Sequence, residues 1–322
     1  MKNTLIVAAV ASLAAGSALA QSSVTIYGRA NVSAENQKNI AVNGTQRVLQ
    51  NSASRIGFKG TEDLGGGLKA GFQLEHGFNI DDGRASQSAF WARQAEVNLS
   101  SATFGTIRMG TFTSEAYFAT ADYISMHNHD TGTSEDKLYA YLGRNTNKIA
   151  YRTPEFVKGF SLEGAVSAGE GAPGQSRTWD LAANYAMGPL QLGLGAEHAG
   201  SNEQIGVRAL YEFGAFVLGG YYQRHSDVGL GGRNVFRLSG AFMAGPSEFH
   251  VNVGRSGDFD KLSNSAATQY TVAYNYNLSK RTKLYAFYTA VNNGDNFSFF
   301  GARAGARVLD PKSLAVGIRH NF

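Results

Sequence analysis

Arg144, Lys148 and Arg152 recur at every fourth position, and Arg55 and Lys59 also stand four apart. In an extended chain, side chains four residues apart point the same way, so each set lines one face of a strand. Rows of fixed cations attract and orient anions without making or breaking bonds. Arg29 and Arg108 are candidates for the same basic wall. A complementary acidic set, Glu115, Asp122, Asp130, Glu135 and Asp136, lies between residues 111 and 143. A basic wall opposite acidic residues creates a transverse field that orients dipolar solutes and penalises apolar ones. Hydrolytic chemistry would need a nucleophile, a base and an orienting group held together. Serines, histidines and acids are present, but no arrangement of them nominates a catalytic residue. His127-Asn128-His129-Asp130 has metal-ligand chemistry, yet one short cluster on a loop does not define a site. The chain has no cysteine, hence no disulfide framework or thiolate site, and neither a metal nor a cofactor is expected.

The elements that must position these charges are strands. Met1-Lys2-Asn3, an apolar run from Leu5 to Ala15, and Ala18-Leu19-Ala20 before Gln21 read as a cleaved signal peptide, residues 1–20. Lys2 is the only charged residue in it, so the formal charge falls from +4 to +3. Residues 21–322 then read as one domain, with abundant glycine and aromatics (39 Gly, 15 Tyr, 20 Phe) and no second membrane-helix pattern. A basic chain invites nucleic acid as a partner, but export argues against it; attraction to anionic solutes is the better reading.

Alternating segments of roughly ten residues fill the chain. Leu68, Ala70, Phe72, Leu74 and His76 oppose Lys69, Gly71, Gln73 and Glu75, while Tyr270, Val272, Tyr274 and Tyr276 oppose Thr271, Ala273 and Asn275. An apolar outer face and a polar inner face imply a closed barrel around water. Tight turns are expected at Asp63–Gly67, Ser100–Thr103, Pro154–Gly159, Gly188-Pro189, Phe213–Ala215, Gly245-Pro246 and Leu278–Arg281. Opposite connections are expected near 36–46, 80–87, 111–143, 169–176, 199–202, 226–232, 256–266 and 294–312. These connections require a sixteen-stranded antiparallel transmembrane β-barrel, with the third loop the longest. The last segment, Ser313 to Phe322, puts Leu314, Val316, Ile318, His320 and Phe322 on one face and needs the strand starting at Val24 to close the ring. Two stretches break the alternation. From Tyr285 to Tyr288 both faces are apolar or aromatic, as near an aromatic girdle. Arg93 falls on the face opposite to Gln94, Glu96 and Asn98.

Several segments carry a resemblance. Gln21-Ser22-Ser23-Val24-Thr25-Ile26-Tyr27-Gly28, the run from Ser54-Arg55-Ile56-Gly57-Phe58-Lys59 to Lys69-Ala70, Phe104-Gly105-Thr106-Ile107-Arg108-Met109-Gly110, Asn277-Leu278-Ser279-Lys280-Arg281-Thr282 and Val316 to Phe322 are similar to the general trimeric porins of Gram-negative bacteria, in the branch typical of beta-proteobacteria. The resemblance implies an outer-membrane homotrimer seated among lipid and lipopolysaccharide, with the third loop folded into the lumen. It places Arg55, Arg93 and Arg144 at positions like the family's constriction arginines. It also makes Phe322 part of a C-terminal signal read by the barrel-assembly machinery. Two features depart from the pattern: Gly110 is followed by Thr111, and the loop lacks the usual Pro-Phe element. The function so implied is passive diffusion of ions and small hydrophilic solutes, to which the net charge of +3 and the clustered basic residues add a mild preference for anions. The alternative is a channel specific for one small organic acid or sugar, with Tyr117, Phe118, Tyr123, Tyr139 and Tyr141 as contacts.

Overall fold

A computed structural model describes residues 23–42, 44–121, 131–169, 177–305 and 307–322, with backbone alone at 144, 145, 304 and 307. The expected signal peptide, Asp122, Tyr123, Asp130, the His127 to Asp130 cluster and the side chain of Arg144 lie outside the described residues.

The strands in chain order are β1 (Ser23–Lys38), β2 (Thr45–Asn51), β3 (Arg55–Gly65), β4 (Leu68–Gly77), β5 (Gln94–Ser101), β6 (Gly105–Thr113), β7 (Arg144–Arg152), β8 (Phe160–Ser167), β9 (Thr178–Met187), β10 (Leu190–Ala199), β11 (Asn202–Phe213), β12 (Phe216–Asp227), β13 (Gly231–Ala244), β14 (Ser247–Ser256), β15 (Ala267–Asn277), β16 (Thr282–Asn293), β17 (Arg303–Ala304), β18 (Arg307–Val308) and β19 (Lys312–Asn321). One short helix, α1 (Glu115–Thr120), follows β6. β2 and β3 are two halves of one wall strand. β2 pairs with the Val32–Lys38 half of β1 and β3 with its Ser23–Arg29 half. The break between them holds Ala53 at φ 52°. β17 and β18 pair only with each other, in a small separate hairpin. The wall therefore has sixteen strands, each antiparallel to the next, and β19 closes the ring by pairing with both β16 and β1. Closure leaves no open edge in the wall, as a lipid environment requires.

Period-2 alternation sorts the faces. On β19, Leu314, Val316 and Ile318 are 58%, 61% and 43% exposed, while Ser313 and Ala315 are buried. The hairpin turns fall where glycine and proline placed them; Gly188, Gly214 and Gly245 take φ of 58°, 58° and 59°, a conformation glycine adopts without a Cβ clash.

Both irregular stretches have local causes. Arg93 precedes β5 and sits on a bend, so strand alternation does not govern it. Tyr285 and Phe287 are not a girdle but point inward, buried with Ala315. Their rings fit because the neighbouring strand offers small residues there: the Tyr285 ring covers Gly317, and its hydroxyl donates to Asn31 Oδ1 at 2.9 Å.

Candidate functional site

The inner face carries the charges, and the wall itself supplies most of the counter-charge. Glu75 of β4 accepts from Arg93 Nε at 2.6 Å and lies 3.6 Å from Arg55 Nε. Arg108 of β6 bridges Glu96 of β5 at 2.8 Å and Glu163 of β8 at 3.2 Å. Arg152 of β7 meets Glu163 at 2.8 Å, and Lys148 meets Asp180 of β9 at 2.6 Å with both groups buried. Lys59 is exposed, with its ammonium 5.4 Å from the Tyr27 ring centre. Phe112 packs between the cations of Arg108 and Lys148, 4.3 and 4.9 Å from its ring centre.

A second cationic arc follows the register of four adjoining wall strands. Lys283 of β16 stands opposite Arg319 of β19, Asn321 opposite Arg29 of β1, and Arg29 opposite Arg55 of β3. Glu248 of β14 pairs with Lys283 at 3.1 Å, and Arg29 Nε donates to Asn321 Oδ1 at 3.2 Å. Like charges placed directly across a strand pair are destabilising, so this arc costs the barrel stability.

The residues between β6 and β7 bond to the polar faces of many strands. Helix α1 starts at Ser114, whose hydroxyl accepts from Tyr117 N at 3.3 Å, an ordinary N-cap. Glu115 accepts from Arg152 at 2.6 Å and from Asn184 of β9 at 3.2 Å. Thr133 donates to Glu35 of β1 at 2.7 Å. Lys137 N donates to Gln269 of β15 at 3.0 Å, and Ala140 N to Gln223 of β12 at 2.9 Å. Asp136 accepts from Arg237 of β13 at 2.6 Å and from the Tyr221 hydroxyl of β12.

Two loop carboxylates differ in state for stated reasons. Burial pushes the Glu115 carboxyl up to about 7, opposed by Arg152 and reinforced by Glu163. Burial would raise Asp136 as well, but Arg237 and the Tyr221 hydroxyl outweigh it and hold the carboxyl below its usual range.

Of the loop acids expected to face the basic wall, Glu115 meets Arg152, Asp136 meets the unanticipated Arg237, and Glu135 pairs within the loop with Lys137. Sequence reasoning missed Arg237, Lys283 and Arg319, and the wall acids Glu35, Glu75, Glu96, Glu163, Asp180, Glu197 and Glu248. The signal was available for several: Glu75 and Glu96 lie on the polar faces already assigned to their strands. The loop tyrosines pack against one another, Tyr117 with Tyr139 at 5.7 Å and with Tyr141 at 4.9 Å, and Tyr139 is buried.

Comparison with known proteins adds independent findings. A family model described as Gram-negative porin matches residues 7–296. The outer membrane porin protein 32 of Delftia acidovorans is 32% identical over 365 residues, covering 100% of both chains. An outer membrane porin protein of Bordetella pertussis is 29% identical, again over 100% of both. Among solved structures, an anion-selective porin from Comamonas acidovorans superposes with TM-score 0.79 and 30% identity, covering 94% of this chain and 100% of that one.

Proposed function

The chain belongs to the Gram-negative porin family, and from that premise we propose a diffusion channel whose aqueous path is set by the third loop and whose preference is mildly anionic. The carrying observation is the spread of loop bonds, which reach β1, β7, β9–β13 and β15. On this reading the loop lies in the lumen against that arc. Solutes then pass between the loop and the sector holding Arg55, Lys59, Arg93 and Arg108. Arg144, Lys148 and Arg152 belong to the flank of the same wall, and Glu115 borders the path.

The charges support a modest rather than a strong preference. Arg55, Arg93, Arg108 and Arg152 have carboxylates from neighbouring strands within reach, which damps their field on a passing ion. The preference follows from the arc of Lys283, Arg319, Arg29 and Arg55, where four bases stand in register on adjoining strands. The relative from Comamonas acidovorans is described as anion-selective, which agrees with this sign. The same reading takes residues 1–20 as a cleaved leader, three copies as the assembled unit, lipid and lipopolysaccharide as surroundings, and Phe322 as the assembly signal.

Reconstitution in a planar bilayer under a salt gradient tests the proposal. The expected results are ohmic conductance in steps of three and a reversal potential on the anion side. Ideal cation selectivity would overturn the charge assignment, and absence of conductance from refolded barrels would overturn the channel reading.

A further inference from the structure

The inward face of β10 reads Gly193, Gly195, Glu197, two residues without side chains followed by a carboxylate. Helix α1 lies on that face in register. A Cβ built on Gly193 would strike the Ala119 carbonyl, one on Gly195 would strike Ala116, and one on Gly206 of β11 would press on Thr120. At the start of the helix, the Ser114 hydroxyl donates to Glu197 Oε2 at 3.0 Å, and Gln204 Nε2 of β11 donates to the same oxygen at 2.8 Å. At its other end, Arg208 of β11 reaches the Phe118 carbonyl at 3.3 Å. Ser114 and Glu197 are both buried.

We propose that Glu197 is the positioning residue of the channel: it fixes the start of the third-loop helix on a glycine floor, and through it the cross-section open to solutes. This rests on the channel reading above. Glu197 touches no solute on this account; it acts through Ser114. That hydroxyl is committed twice, accepting from Tyr117 N to cap the helix and donating to Glu197. Loss of the carboxylate leaves a buried hydroxyl without its acceptor, and the cap is then free to turn away. Arg152 and Asn184 still hold the Glu115 carboxylate and Asp180 still accepts from Glu115 N, so the helix loosens at its cap, Ser114, rather than leaving the wall.

The design of the test follows from the two carboxylate oxygens. Oε1 of Glu197 has no hydrogen-bond partner among the described residues, so Glu197→Gln retains an acceptor for Ser114 and places its NH₂ where no donor is displaced. Single-channel recording with neutral polymers of graded size reads both steadiness and the size limit. Glu197→Gln is expected to match the parent. Glu197→Ala and Ser114→Ala are each expected to raise the frequency of brief sublevels about fivefold, the scale of losing one helix cap, and to blur the size limit. The double variant is expected to be no worse than either single one. A Glu197→Ala channel as quiet as the parent overturns the proposal, as does a Glu197→Gln channel as noisy as Glu197→Ala. Should Glu197→Ala fail to assemble, Ser114→Ala carries the test alone, since its substitution lies off the wall. A silent parent channel would instead refute the channel reading.

Discussion

Glu115 makes the pH response of the channel a sharp test. Its carboxyl is raised from the ordinary 4.5 to about 7 by burial against the wall, with Arg152 and Arg108 opposing and Glu163 and Asp180 adding repulsion. At 1.36 kcal/mol per pH unit, that displacement corresponds to about 3 kcal/mol. The docked loop holds the proton more tightly than a solvated loop would. Docking is therefore strongest below pH 4.5, weakens as pH rises from 4.5 to about 7, and carries the full penalty above that. Crossing about 7 from above also removes one negative charge beside Arg152. The expected result is a reversal potential that moves toward anions as pH falls from about 8.5 to 5.5, with a midpoint near the Glu115 value of about 7. Glu115→Gln keeps an oxygen for Arg152 or Asn184 and removes the titration, so it should hold the low-pH selectivity throughout. His127 and His129 belong to the same stretch of sequence, and the substitution leaves them intact. A parent profile that is flat over this range, or a midpoint that survives Glu115→Gln, refutes the assignment.

Two further outcomes follow from packing. Arg237→Ala leaves Asp136 charged and buried without its guanidinium, which should cost about 3–5 kcal/mol, whereas replacing both partners by apolar residues of similar volume should restore much of it; denaturant unfolding of the refolded barrel reads both. Gly317→Val drives a branched side chain into the Tyr285 ring and should cost about 1–3 kcal/mol by overpacking, seen as a lowered unfolding midpoint with the reversal potential unchanged.

The architecture was legible because its determinants are local. Alternation is a property of five to ten consecutive residues, and Gly188-Pro189 or Gly245-Pro246 marks a reversal on its own. The counted turns and loops recur in the structure, including a third loop from Ser114 to Gly143 between β6 and β7. What escaped depends on residues far apart in the chain. Arg237 shares its strand face with Arg233, four positions earlier, but its partner Asp136 lies 101 positions earlier, so no spacing rule links that pair. The inward aromatics of β16 depend on Gly317 and Ala315 of β19, on the far side of a long loop. Arg93 misled because alternation was applied to a residue that precedes its strand. The wall acids were visible on assigned faces, but reading the cations first left their partners out.

That omission changes the electrostatic account. A wall of isolated bases facing an acidic loop would give a strong field across the whole lumen. Here Arg108, Lys148 and Arg152, with Arg93, are joined to acids one or two strands away, and Glu115 and Asp136 anchor the loop to the wall. Paired charges within a few ångströms act on a passing ion as dipoles, and their influence falls off faster than that of a lone charge. The arc in which Lys283 faces Arg319 and Arg29 faces Arg55 gathers four bases of one sign, with Glu248 beside Lys283 and Glu75 beside Arg55. Its like-charged contacts oppose folding, so their presence calls for a compensating role, and attraction of anions to the lumen is the role their position allows. Such a field, set in water, is screened within about 8–10 Å at physiological salt. Anion preference carried by the arc should therefore fade as ionic strength rises, while the size limit proposed for α1 on its glycine floor should not.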